Sequence, residues 1–219
     1  MSSVLLLGAT GLVGSATLRL LRDDPAFPRV VTLTRRPLPG GGVNPKVDAR
    51  VGDLEKLDAL ADAFAVDAVI CALGTTIRQA GSEARFRAID FDIPLKAARL
   101  ARDHGVAHYL YVSSLGADPH SRVFYSRTKG EMEAALRDVG FPRLSIVRPS
   151  LLLGERREFR PGERLAQLLA FIPMGRYTAI PAADVAAALV RLAKEDGAGV
   201  RVVESDEMRS WARAARRGT

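Results

Sequence analysis

At 219 residues, 47% of them hydrophobic, the chain is long enough to bury one substantial core and too short for several large independent domains, so a single domain over 1–219 is expected. Its formal charge of +7 comes mostly from arginines scattered among acids, with no basic stripe and no interleaved aromatics, which argues against a nucleic-acid partner. No apolar run approaches the roughly 20 residues that cross a bilayer, and a single cysteine, Cys71, excludes an internal disulfide or a cysteine-rich zinc site.

The chain reaches Gly8 after only four apolar residues, with no lysine or arginine ahead of them. That start reads as a first strand and not a secretory signal, and with the cysteine count it sets a cytoplasmic expectation. From there, short apolar β-rich runs alternate with stretches of helical period. Strands are expected at 4–7, 30–34, 47–51, 68–73, 108–112 and 144–147, with a last one at 200–203. Helices are expected at 12–21, 55–64, 83–103 (bent or interrupted near Pro94), 122–139, 163–171 and 184–194. Residues 150–181 form an irregular segment, and arginines 209–217 behind Trp211 read as a solvated C-terminal helix. This alternation predicts an α/β fold: a doubly wound parallel sheet with helices on both faces and a small C-terminal elaboration on the substrate side.

Gly8-Ala9-Thr10-Gly11-Leu12-Val13-Gly14 directly follows the first strand and directly opens the first helix. In that setting the first glycine allows a tight turn, the second lets backbone approach a pyrophosphate, and the third allows close packing of helix on strand. The phosphates then meet free N–H groups and the positive end of the helix dipole. At the end of the second strand, where an NAD site places an acid for the ribose 2′-hydroxyl, this chain has Thr34-Arg35-Arg36, and no acid occurs between Asp24 and Asp48. A guanidinium fork binds a 2′-phosphate. NADP(H) is therefore the expected cofactor, with Arg35 as the clamp and Arg36 as a second contact.

Tyr125 and Lys129 lie four apart, on one face of a predicted helix. An ammonium beside a phenol favours the phenolate and makes the hydroxyl a usable acid or base. Ser114, at the end of the fifth strand, is placed to polarise a substrate carbonyl together with Tyr125, and its neighbour Ser113 is the second choice. The three histidines show no metal-ligand spacing, so no metal is expected, and Asp90 and Asp92 read as helix-surface acids. Cys71 reads as core.

The Gly-x-x-Gly-x-x-Gly spacing resembles the short-chain dehydrogenase/reductase superfamily with its Rossmann fold. Residues 71–76 (CALGTT), 113–118 (SSLGAD), 129–133 (KGEME), 148–153 (RPSLLL) and 160–163 (RPGE) resemble the TIP30/CC3 (HIV-1 Tat-interactive protein 2) group of its atypical members. The resemblance implies further cofactor contacts: Asp53 at the adenine, beside Leu54; Leu73 and Gly74 along the ribose and diphosphate; Lys129 on the nicotinamide ribose; and one of Leu151 or Leu152, with Arg160, over the nicotinamide end. It also implies two functions. One is NADPH-dependent reduction of a small carbonyl substrate by the 4-pro-S hydride, with Tyr125 as proton donor. The other is regulation of a protein partner by cofactor occupancy without turnover. The first is favoured, because a sensor has no need of a proton donor.

Overall fold

The computed structural model describes residues 2–39, 44–153 and 177–218. In chain order these form β1 (Ser3–Leu7), α1 (Leu12–Asp23), β2 (Arg29–Thr34), β3 (Val47–Val51), a 3-10 helix (Leu54–Phe64), β4 (Ala68–Cys71) and α2 (Ile77–Ala80). Next, α3 (Glu83–Arg87) runs through a π turn (Ala88–Asp92) into α4 (Ile93–Asp103), followed by β5 (His108–Val112), α5 (Phe124–Val139) and β6 (Arg143–Arg148). The last elements are β7 (Leu152–Leu153), β8 (Ile180–Pro181), α6 (Ala182–Lys194), β9 (Gly199–Glu204) and α7 (Ser205–Arg217). The expected helix at 163–171, the glycine run at 40–42 and Arg160 lie outside the described residues.

Seven of the described strands make one parallel sheet in the order β3-β2-β1-β4-β5-β6-β9, the doubly wound Rossmann arrangement, and β7 pairs with β8 in a separate two-stranded ribbon. Alternation along each strand builds two cores. Val4, Leu6, Ile70 and Leu110 point to the face covered by Val13 and Leu21 of α1 and Val185 and Leu189 of α6. Leu5, Leu7, Val69 and Tyr109 point to the opposite face, against Leu57, Ala97, Ala101, Met132 and Leu136. Each fully buried leucine contributes about 2 kcal/mol, so every central strand is held from both sides. That is why these strands are continuous in apolar residues.

Two helices depart from expectation. Segment 54–64 is 3-10 and not α, with non-helical backbone at Lys56 and Leu60. Leu54, Leu57, Leu60 and Ala63 recur every third residue, and i and i+3 eclipse at three residues per turn. The expected bend near Pro94 is a π turn. Ile93 donates its N–H to the Ala88 carbonyl, five residues back, before α4 resumes.

β1 and β4 are neighbours, and the chain winds outward from them in both directions. A crevice opens beyond their C-terminal ends, at the switch point where doubly wound folds bind ligands.

Candidate cofactor and active site

The turn after β1 leaves little freedom at two of its glycines. Gly8 has φ +85°, and a Cβ there would sit 2.5 Å from the Ala72 carbonyl oxygen; a Cβ on Gly14 would sit 2.0 Å from the Gly8 oxygen. Gly11 is different, since its Cβ would meet only Gly8 O at 3.3 Å, and its outer side faces the crevice. Gly11 caps α1 without any side-chain hydrogen bond, and the first ladder bond runs from Ser15 N–H to Gly11 O. The N–H groups of Leu12, Val13 and Gly14 thus precede the ladder at the positive end of the helix. This cradle fits a diphosphate, with Gly8 and Gly14 shaping it and Gly11 through Val13 facing it.

A cavity of about 530 Å³ continues from this turn. It is lined by Gly11, Leu12, Val13, Leu73, Gly74, Ser114, Tyr125, Lys129 and Leu151 of the expected set, joined by Asp90, Ser150 and Tyr177. Gly8, Thr10 and Gly14 belong to the same turn. Arg35, Arg36, Asp53 and Leu54 are not among its lining residues. They follow β2 and β3, whose ends are tied by Gly52 N–H to Thr34 O at 2.9 Å. Arg35 and Arg36 are exposed and pair with no carboxylate among the described residues, while Thr34 Oγ1 donates to Arg36 O at 2.8 Å and fixes the loop. Asp53 caps the 3-10 helix through Glu55 N–H at 3.0 Å, and Leu54 is buried in the core.

The two serines after β5 have separate fates. Ser113 Oγ donates to Glu133 Oε1 at 2.6 Å. Ser114 Oγ is buried without a partner among the described residues and faces the cavity. Tyr125 packs its ring against Phe86, 5.5 Å between centroids, and its hydroxyl makes no hydrogen bond among the described residues. Two hydroxyls on one cavity wall are thereby available to a carbonyl oxygen.

Lys129 is buried, with its Nζ 2.8 Å from Asp90 Oδ1 and 3.2 Å from the Tyr111 hydroxyl, to which it donates. Burial disfavours the ammonium, but Tyr111 and the Asp90 carboxylate favour it more, and the net effect raises the Lys129 pKa. Burial also pushes the Tyr111 phenol up. Asp90 corrects the expectation of a surface acid. Its side chain is fully buried, whereas Asp92 is exposed.

The sequence profile of the NAD(P)H-binding family matches residues 8–196. The chain belongs to that family. It is 42% identical over 167 residues to Protein HTATIP2 of Rattus norvegicus, covering 75% of this chain and 69% of that protein. It is 37% identical over 180 residues to Protein fmp52, mitochondrial, of Emericella nidulans, covering 78% and 75% respectively. The group resemblance read from residues 71–163 thus stands. Among solved structures, MoeE5 in complex with UDP-glucuronic acid and NAD superposes with a TM-score of 0.72 at 21% identity, over 91% of this chain and 75% of that one. The Bordetella bronchiseptica enzyme WbmH in complex with NAD+ gives 0.70 at 16%, over 94% and 76%. These establish the Rossmann fold. The fungal relative is named as mitochondrial, a compartment that the cytoplasmic expectation did not consider. No described helix is long and apolar enough to cross a membrane.

Sequence reasoning missed Asp90, Tyr111 and the Glu133–Arg148 pair. Only Asp90 carried a signal: Pro94 four residues on cannot donate to its carbonyl, which marks a break in the helix there. Glu133 and Arg148 look like ordinary surface residues until β5, α5 and β6 are brought together.

Proposed function

We propose that the protein is an NADPH-dependent reductase of small carbonyl compounds. The observation that carries this reading is the convergence of the Ser114 and Tyr125 hydroxyls, both without partners among the described residues, on the cavity that continues from the diphosphate cradle. Bound NADPH would supply the hydride that reduces the carbonyl carbon. Ser114 Oγ would hold the carbonyl oxygen and polarise it, and the Tyr125 hydroxyl would give that oxygen its proton, leaving an alcohol and a phenolate that solvent reprotonates. Lys129 would hold the cofactor's ribose. Arg35 and Arg36 support NADPH over NADH, because they bring two unneutralised guanidinium groups to the end of β2, where a 2′-phosphate would lie.

The test has three parts: titration with NADPH and NADH, turnover across a panel of aldehydes and ketones, and the Tyr125→Phe variant. The reading expects tighter NADPH binding, consumption of NADPH with some carbonyl, and loss of most turnover in Tyr125→Phe at unchanged NADPH affinity. Tight NADPH binding with no turnover on any carbonyl would favour a cofactor-dependent regulator of a protein partner instead.

A further inference from the structure

The C-terminal helix α7 is not the wholly solvated element that arginines 209–217 suggest in the sequence. Met208 is fully buried, and the guanidinium carbons of Arg191 on α6 and Arg201 on β9 lie 4.3 and 5.2 Å from the centre of the Trp211 ring. Arg216 pairs with Asp184 of α6. The helix is thus pinned along its length to the body of the fold. Arg209 reaches from that frame to the approach to β8, where its guanidinium donates to the Thr178 carbonyl. The same carbonyl accepts the Ser150 hydroxyl at 2.6 Å. Ser150 has one proton and gives it to that carbonyl, so Ser205 donates across the 2.8 Å contact between the two serine oxygens. Arg209 Nη1 in turn lies 3.4 Å from the oxygen of Ser205, a fully buried residue. Both hydroxyl protons of this ring therefore run toward Thr178 O. Just beyond it, Ile180 N–H donates to Leu151 O at 2.9 Å and starts the β7–β8 ribbon. Both arms of the ring are cavity wall, with Ser150, Leu151 and Leu152 on one side and Tyr177 on the other.

We propose that Arg209 is a positioning residue of the reductase site: through the Thr178 carbonyl it holds Tyr177, the preceding residue, as the wall that determines which carbonyl substituents fit. The proposal rests on the reductase reading of the cavity. Tyr177 lines the cavity while 55% exposed, so its place is not fixed by burial in the core and depends on the backbone that carries it. A charged donor on the neighbouring carbonyl holds that backbone more firmly than the Ser150 hydroxyl alone.

Amide hydrogen exchange on the full chain reads the anchor without turnover. In Arg209→Met, which keeps an apolar stem but loses the donors, the Ile180 amide should exchange about tenfold faster or more, as expected for loss of one charge-assisted hydrogen bond. Amides of β1 are the reference and should stay within about twofold. An Ile180 rate within about twofold of the parent's, or an equal rise in β1, overturns the proposal. If Arg209→Met does not fold, Arg209→Gln takes its place, and its neutral donor should still leave a rise of about threefold or more against the same limits. Steady-state kinetics with a reducible carbonyl read the effect on the site. Arg209→Met should raise KM about fivefold or more, with kcat and NADPH affinity within about twofold. The double variant with Tyr177→Ala should have the KM of Tyr177→Ala alone, because Arg209 acts through that ring. A fall in kcat at unchanged KM, or single effects that multiply in the double variant, overturns the proposal. If no carbonyl is reduced while the Ile180 amide exchanges faster, the reductase reading fails and the Arg209 anchor of the cavity wall stands.

Discussion

The Ser113 hydroxyl donates to Glu133 Oε1 at 2.6 Å, and Arg148 closes the other side of that carboxylate, Nε to Oε1 at 2.9 Å and a second guanidinium nitrogen to Oε2 at 2.6 Å. The Glu133 hydrogen bond is the main reason the Arg148 pKa is raised. One serine of the pair is therefore committed to joining β5, α5 and β6, and the other is left facing the cavity. Ser113→Ala should cost about 1.5–3 kcal/mol in denaturant unfolding, the contribution of a hydrogen bond to a charged group, since Glu133 Oε1 then keeps only its bond from Arg148 Nε. Ser114→Ala should change stability by less than about 0.5 kcal/mol and lower kcat/KM for a carbonyl on the order of 100-fold. The opposite pattern would exchange their roles.

The glycine turn separates folding from binding in the same way. Gly14→Ala places a methyl 2.0 Å from the Gly8 oxygen, which is backbone and has little room to yield. It should destabilise the protein by about 1–3 kcal/mol or more. Gly11→Ala meets a single atom, the Gly8 oxygen at 3.3 Å, and Gly11 lines the crevice. It should leave unfolding nearly unchanged while weakening NADPH binding at least about tenfold, on the order of 1.4 kcal/mol. Parallel unfolding curves and cofactor titrations check both. Equal stability losses would mean that Gly11 is a packing glycine as well.

Strand placement and the doubly wound class were legible in the sequence because they depend on local signals: short continuous apolar runs, a glycine turn, and prolines that stop or bend helices. The 3-10 segment was readable in principle from Leu54, Leu57, Leu60 and Ala63, but helical period dominates the usual reading of an 11-residue stretch. The site divides similarly. Gly11, Ser114, Tyr125 and Lys129 could be placed because each sits at a fixed offset from a strand end or on one helix face. Asp90 could not be paired with Lys129, 39 positions away in the numbering. That contact exists only once α4 and α5 pack side by side and the π turn rotates the carboxylate inward. The β7–β8 ribbon escaped for a related reason: two-residue strands carry no period.

Arg35 carries the strongest specificity expectation. It is exposed, has no ion-pair partner among the described residues, and directly follows the end of β2, while Asp53, after β3, is occupied in capping the 3-10 helix. Charge-assisted hydrogen bonds of this kind contribute about 1.5–3 kcal/mol. Arg35→Ser should thus weaken NADPH binding roughly 10- to 150-fold and leave NADH binding within about twofold. A loss shared equally by both cofactors would place Arg35 at the adenine or diphosphate instead of the 2′-phosphate.

His108 sets an acid limit on stability that is independent of the site. It opens β5 at 5% exposure, with Nε2 2.9 Å from Ser145 Oγ, and burial, helped by the nearby Arg143 charge, lowers its pKa from 6.5 to about 3. The unfolded chain takes up that proton near 6.5 while the folded chain does not until about 3. Over this window the unfolded state binds more protons, so stability is full above the unfolded value and falls as pH drops, by at most about 1.4 kcal/mol per pH unit. Asp24, whose pKa is lowered chiefly by its hydrogen bond to Lys194, also costs stability in acid, but only below the ordinary carboxylate range near 3.8. Unfolding free energy measured between about pH 4.5 and 6.5 isolates the histidine. His108→Gln keeps a polar partner for Ser145 and should flatten that slope. A slope unchanged by the substitution would mean that the imidazole is protonated in the folded protein, and that burial at the start of β5 does not exclude its charge.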